Sequence, residues 1–334
     1  MTAWRNRLRY DPVSPLLAFD DEALRYFVRR DLTGEGAGGL RRIWRLPQVK
    51  KLLAKQTADG SFAVPASKKK HPAQDYPLIE TWRQFRYLVE VFGCTRKHPP
   101  TEKAAEFIFS RRTADGDFRG FIASQYATYY TGAILSLLIQ AGYAGDRRVE
   151  QGMRWLLSMR QDDGGWTVPI QTHYFNGKEM YRLTGSRADP VEPDRSQPFA
   201  HNATGMVVRA FAVHPRYRNS REARIAAGLL ADRLFQEDRY SSYQAASHWV
   251  RFQYPFWWNN LVAALDSISR IGLPASDPRI TRALEWLAGH QEKDGLWRDT
   301  YAAPRRRSAE TAKIRATRCW VTLAICRIFR RYFG

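Results

Sequence analysis

Cysteine is scarce in this sequence: only Cys94, Cys319 and Cys326 occur, with no Cys-x-x-Cys pair and no Cys/His cluster at metal-ligand spacing. Thiols so few and so scattered exclude a disulfide framework and a structural zinc module, and a reducing compartment is expected. Long apolar runs are also missing, and the basic start MTAWRNRLRYDP leads into no apolar stretch of the kind a secretion signal needs. The expectation is a cytoplasmic protein, neither spanning a membrane nor holding a metal or cofactor.

Acid is in short supply as well. Against 53 Lys and Arg stand 33 Asp and Glu, a formal charge of +20. Charge of that size repels itself and suits an anionic partner. The bases are spread along the chain, at Lys68 to Lys70, Arg147 and Arg148, Arg305 to Arg307, and Arg330 and Arg331, and no nucleic-acid motif accompanies them. A nucleic acid is therefore not the expected partner; peripheral association with an anionic membrane is one, beside plain solvation of charged faces.

What is plentiful is apolar and aromatic side chain, 44% and 13% of 334 residues, enough to fill a sizeable core. It is organised by a repeat. Gln56-Thr-Ala-Asp59-Gly60-Ser-Phe62 returns as Arg112-Thr-Ala-Asp115-Gly116-Asp-Phe118, then as Gln161-Asp-Asp163-Gly164-Gly165-Trp166 and as Gln291-Glu-Lys-Asp294-Gly295-Leu-Trp297. A worn copy is expected over Phe235 to Tyr243. An amphipathic stretch with apolar residues three and four apart precedes each copy, as in VEQGMRWLLSMRQ and ITRALEWLAGHQ. The glycine of each Asp-Gly is expected to end that helix in the left-handed conformation. A second, more apolar stretch follows, as in YPLIETWRQFRYLVEVFG, QYATYYTGAILSLLIQAGY, FAHNATGMVVRAFAVHP and TRCWVTLAICRIF.

Alternating half-polar and mostly apolar helices are what a two-layered ring requires, since outer helices meet water and inner ones pack on both sides. The predicted fold is all-α: an α/α toroid of about five to six helical hairpins. It is expected as one domain over residues 1–334, with an N-terminal extension over 1–20 and an inserted loop over 170–198. That insert carries Arg182, Arg187 and Arg195 and could act as a lid over a pocket mouth, the bases meeting an anionic head group.

The helix ending in Gln-x-x-Asp-Gly-x-Trp or Phe resembles the QW repeat of squalene-hopene cyclases and the related repeat of prenyltransferase β subunits. The resemblance implies that Gln56, Phe62, Phe118, Trp166, Gln291 and Trp297 are scaffold tying neighbouring outer helices, with the tie altered at Arg112. It implies a pocket for an isoprenoid or other hydrophobic molecule. Several signatures of that chemistry are absent. There is no DxDD acid motif; Asp20-Asp21 and Asp162-Asp163 lack the third Asp of DDxxD; and Phe92, Thr317 and Ala324 stand where a zinc-binding Asp-x-Cys would need its Asp.

Gly34 to Gly39 fit GxGxxG, but a nucleotide-binding turn must follow a strand, and here a helix precedes it. A pocket lined by the inner helices is the default binding site. Aligning those helices on their closing glycines sets Tyr76 against Tyr126 and Glu80 against Tyr130, with His201, Asn202, Asn259 and Asn260 near the equivalent level. A carboxyl on an apolar helix tends toward its neutral form and can give up a proton, so Asp75 and Glu80 are the candidate acids, with His201 beside them. Tyr76, Tyr126, Tyr129, Tyr130, Trp257, Trp258 and the three asparagines are the candidate substrate contacts, the aromatic ones offering π faces to a cation or an apolar chain. Three readings follow: a terpenoid-cyclase-type enzyme using acid-initiated chemistry, a non-catalytic toroid holding a lipid or a protein, and a lyase or hydrolase acting on an anionic polysaccharide.

Overall fold

A computed structural model describes residues 3–36, 38–67, 71–185, 188–240, 245–298, 300 and 310–334. Lys68 to Lys70, Arg187, Tyr243 and Arg305 to Arg307, named above, lie outside the described residues. The chain gathers into two compact units, a central one over Trp44–Ala226 and a terminal one made of Met1–Ile43 with Ala227–Gly334. In chain order the helices are α1 (Val13–Ala18), α2 (Glu22–Val28), α3 (Pro47–Leu53), α4 (Tyr76–Arg86), α5 (Pro99–Ser110), α6 (Thr128–Leu138) and α7 (Arg147–Ser158). They continue as α8 (Gly177–Gly185), α9 (His201–Val213), α10 (Arg221–Asp232), α11 (Leu261–Ile271), α12 (Pro278–Gly289) and α13 (Ala312–Phe333). The all-α class read from the repeat is the class observed: helical hairpins build both units, and only isolated β-bridges occur among the described residues.

The two kinds of helix differ as their sequences require. On α7 the buried side chains Val149, Met153 and Leu156 form one stripe, and on α12 Ile280, Ala283, Leu284 and Leu287 do the same; each leaves a polar face to water. By contrast α6 and α9 are buried almost all round. These two inner helices of the central unit pack backbone to backbone, since a Cβ on Gly132 would lie 2.5 Å from the Cα of Val207.

The repeated segment folds the same way four times, and not as the sequence suggested. The outer helices stop at C-caps Ala54, Arg111, Met159 and His290, five or six residues before the glycine. What the glycine shapes is a separate turn. Thr57 N donates to Ser61 O and Gly60 N to Thr57 O, and the same two bonds recur at Thr113 with Asp117 and Gly116, at Gln161 with Gly165 and Gly164, and at Glu292 with Leu296 and Gly295. The four glycines have φ between 82° and 113°, a region closed to most side chains. Aligned on this turn, the residue matching Gln56 in the third copy is Arg160, not Gln161. Arg160 Nε reaches Gly164 O at 3.1 Å, as Gln56 Nε2 reaches Gly60 O at 3.1 Å and Gln291 Nε2 reaches Gly295 O at 2.9 Å.

The ties to neighbouring segments differ in kind. Gln56 donates to Pro100 O at the start of α5, and Gln291 exchanges bonds with the backbone of Arg9 and Tyr10. In the second copy Arg112 donates to the side chain of Gln151 on α7, so the tie is altered there as expected. At the worn copy Asp238 still accepts from Tyr240 N, matching Asp59 with Ser61 N, but Arg239 replaces the glycine. A second link joins outer helices: Asp146 caps α7 while Arg148 clamps back on it and reaches Glu106 of α5 at 2.6 Å; Asp277, Arg279 and Asp232 of α10 repeat this at α12.

The turns meet the inner helices through one residue type. The backbone N–H of the motif aromatic donates to a fully buried threonine in every copy: Phe62 to Thr81 at 3.0 Å, Phe118 to Thr131 at 3.1 Å, Trp166 to Thr204 at 2.8 Å and Trp297 to Thr322 at 3.1 Å. Thr204 also donates back to Trp166 O. The two tryptophans each give an indole N–H to the carbonyl ten residues earlier, Leu156 and Leu287.

Cys94, Cys319 and Cys326 are free and buried, and burial pushes the Cys94 thiol up to about 12 and Cys319 to about 11, so neither is a ready nucleophile. Burial acts to raise Asp266 on α11, but Arg270 and Arg331 outweigh it and hold this carboxyl well below the usual range. Removing the threonine acceptor strands a buried N–H, at a cost of about 1–3 kcal/mol. Thr204→Val and Thr322→Val are each expected to lower the unfolding free energy by that amount, read as a lower urea midpoint at an unchanged denaturant slope; an unshifted midpoint would show that the N–H finds another partner.

Candidate functional site

The threonines give the inner helices a common register. Counting from Thr81, Thr131 and Thr204, Glu80 and Tyr130 share one position, and so do Tyr76 and Tyr126. In α9 the position of Glu80 is filled by Ala203, which sets His201 and Asn202 two and one residues earlier than Glu80. Trp257, Trp258, Asn259 and Asn260 belong to the terminal unit, so the site described below is that of the central unit.

Glu80 is the acid that its helix buries, with 5% of its surface exposed. Its Oε1 accepts from Gln84 Nε2 at 2.6 Å, one turn along α4, and its Oε2 lies 3.5 Å from Arg83. Two residues further along α4, Trp82 belongs to an aromatic cluster. Tyr130 stacks on Phe121 with centroids 3.9 Å apart, and Trp82 meets both rings edge-on at 5.2 and 5.8 Å. Tyr129 adjoins Tyr130 at 4.4 Å, and burial drives its phenol well above the ordinary tyrosine value. The Arg86 guanidinium sits 5.3 Å over Trp82; its burial lowers its affinity for the proton, which Glu90 counteracts.

Asp75 has a different duty. Its side chain caps α4 by accepting from Leu78 N, and its other oxygen lies 3.8 Å from Arg111. Tyr76 follows it, and its hydroxyl accepts from His71 N at 2.8 Å. His201 and Asn202 open α9 and are buried. In the terminal unit Asn260 is likewise a cap, accepting from Ala263 N and donating to Arg251 O; Asn259 beside it is buried, and the Trp257 and Trp258 rings lie 6.1 Å apart. Sequence reasoning missed Trp82, Phe121 and the buried arginines Arg86 and Arg209. Phe121 lies in a non-periodic loop and carried no signal, whereas Trp82 and Arg86 fall on the apolar face of α4 and were legible in principle. No group of three or more His, Cys, Asp or Glu gathers as a metal set among the described residues.

The insert over 170–198 is more ordered than a polar loop. It contains α8, and Leu183 of that helix packs with Val168 and Ile170 into a small core against Tyr129, Phe175, Met180 and Val191. Its backbone is held by one fully buried side chain: Gln125 donates to Leu183 O and Asp189 O and accepts from Val191 N. Tyr126 adds a bond from its hydroxyl to Glu192 at 2.8 Å. Burial, then the Glu192 hydrogen bond and charge, push the Tyr126 phenol up to about 12. Gln125→Leu leaves those three backbone groups without a partner; at about 1–3 kcal/mol each, local opening of the insert is expected to rise at least tenfold. The rate of tryptic cleavage within α8 reads this directly, and an unchanged rate would mean that Gln125 does not hold the insert.

No protein-family model matches the chain. The squalene–hopene cyclase of Bradyrhizobium diazoefficiens is 27% identical to it over 156 residues, 46% of this chain and 21% of that enzyme. The chain thus spans about a fifth of the length of the curated relative it matches. Among solved structures, a glycosyl hydrolase of family 88 from Bacteroides vulgatus covers 99% of this chain and 94% of its own at 11% identity and a TM-score of 0.47. A protein from Actinoplanes is similar at 15% identity over 94% and 90% of the two chains, with a TM-score of 0.46. A type II terpene cyclase from Scytonema, solved with geranylgeranyl dihydroxybenzoate, is 13% identical over 87% and 98%, with a TM-score of 0.32. In sequence, then, this chain is similar to a squalene–hopene cyclase over just under half its length.

Proposed function

We propose that the inner helices α4, α6 and α9 wall a pocket for a hydrophobic, isoprenoid-like molecule, and that Glu80 is the acid of a cyclase-type reaction there. The observation that carries this reading is a carboxyl 5% exposed on α4, the helix that also carries Trp82, whose ring meets Phe121 of the loop before α6 and Tyr130 of α6. In the step envisaged, the protonated Glu80 gives its proton to an alkene carbon. The π electrons form the new C–H bond, and the positive charge is left on the neighbouring carbon, to which aromatic faces are attractive partners. Loss of a proton from the resulting cation restores the acid. Gln84 fits both states of Glu80: its amide nitrogen donates to the carboxylate, and after rotation its oxygen can accept from the acid.

The alternative is a pocket that holds the same class of molecule without turnover. It is favoured by the donors on Glu80, which stabilise the ionised form. Membrane association belongs to the same reading. No helix among the described residues is long and apolar enough to cross a bilayer, but the insert turns Tyr174 and Tyr181 outward, 97% and 75% exposed, beside Lys178. Aromatic and basic side chains together suit the interface of an anionic bilayer.

Native mass spectrometry of the purified protein is expected to show a retained hydrophobic molecule. With C20 and C30 isoprenoid substrates, Glu80→Gln is expected to cut product formation by about 10²–10⁴-fold, the usual worth of a positioned acid, with ligand binding preserved. Equal product from wild type and Glu80→Gln would remove the acid role, and binding without product from either would select the non-catalytic pocket.

A further inference from the structure

The terminal unit holds a separate concavity that neither reading above uses. Its volume is about 690 Å³, inside the span of roughly 300–1,000 Å³ typical of small-molecule sites. Four rings wall it: Tyr10 before α1, Phe252 before α11, Trp286 on α12 and Trp297 from the fourth turn. Phe252 and Trp297 are buried and form its floor, while Tyr10 stands exposed at the rim. His290 lies flat on Trp286 with centroids 3.7 Å apart, and Phe252 meets Trp286 edge-on at 6.1 Å, so the walls are set by ring packing.

Most of the polar lining is already engaged. Gln291 is bound to the backbone of Tyr10 and Gly295, and Thr300 to that of Val250 and Phe252. Glu292, an acid in the lining, accepts from Arg298 at 2.5 Å and from Arg318 at 2.8 Å. Lys293 is exposed and has no ion-pair partner among the described residues. Among the described residues the cavity thus offers an apolar aromatic interior and a rim whose unneutralised charge is positive.

We infer that this cavity binds an amphipathic carboxylate, with its apolar body against the four rings and its carboxylate at Lys293 and Arg298. Removing the body from water supplies the affinity, and the charge at the rim sets the orientation and excludes cations.

The test is calorimetric titration of the full chain with dodecanoate below its micelle concentration. Because a chain of charge +20 attracts anions over its whole surface, the control is Lys51→Glu. That residue is an exposed lysine of the central unit, and its replacement changes the charge as much as Lys293→Glu does. One saturable site is expected, weakened roughly tenfold by Lys293→Glu and within about twofold of wild type for Lys51→Glu. Dodecyltrimethylammonium and acetate are expected to compete poorly, the first lacking the anion and the second the apolar body. The proposal is overturned if the two variants weaken binding equally, if the site keeps full affinity in Lys293→Glu, if either competitor matches dodecanoate, or if no saturable binding occurs.

Discussion

The hydrogen bond from a motif backbone N–H to a buried threonine is the contact on which the repeat depends. It joins the polar turn after each outer helix to the apolar inner helix that follows. A hydroxyl is what the position needs: the N–H is shut away from water and must be paired, yet the inner helix can give up no backbone acceptor of its own. Threonine supplies the acceptor on a small, β-branched side chain that keeps its helix packed. Glycine in the left-handed region lets the turn close, and the turn aims the aromatic ring into the core. Each element answers a demand made by its neighbour, which is why four copies share one geometry while their sequences drift.

The positive charge has a structural share. Arg148 and Arg279 tie outer helices together, Arg318 gathers Glu292, Asp294 and Glu310, and Arg327 and Arg331 bind Asp31 and Asp266 from α13. Guanidinium groups suit this work because their planar fork holds two acceptors at once. These arginines are matched by acids, so they brace helices while the net charge of +20 stays in place, and exposed lysines such as Lys178 on the insert and Lys293 at the rim of the terminal cavity are part of it.

The candidate pocket of the central unit depends on the same economy of polar groups. Gln125 binds the insert with both ends of its amide, and Asp75 is committed to the cap of α4. Glu80 differs in that Gln84 and Arg83, side chains one turn along its own helix, are among its partners.

The sequence alone determined the all-α class, the hairpin rhythm and the buried character of the inner helices, because periodicity and Asp-Gly spacing are local signals that tertiary contacts reinforced. It also aligned Glu80 with Tyr130. It could not tell that Asp75 and Asn260 serve as caps, that Arg160 and not Gln161 matches Gln56, or that the insert carries its own small core. Those outcomes turn on which backbone groups lie within about 3 Å of a side chain, and for Gln125 residues far along the chain, Leu183 and Asp189, supply them. Thr81, Thr131, Thr204 and Thr322 were in plain view, but a threonine on an apolar helix announces nothing until its acceptor has found its donor, and only the folded chain brings the two together.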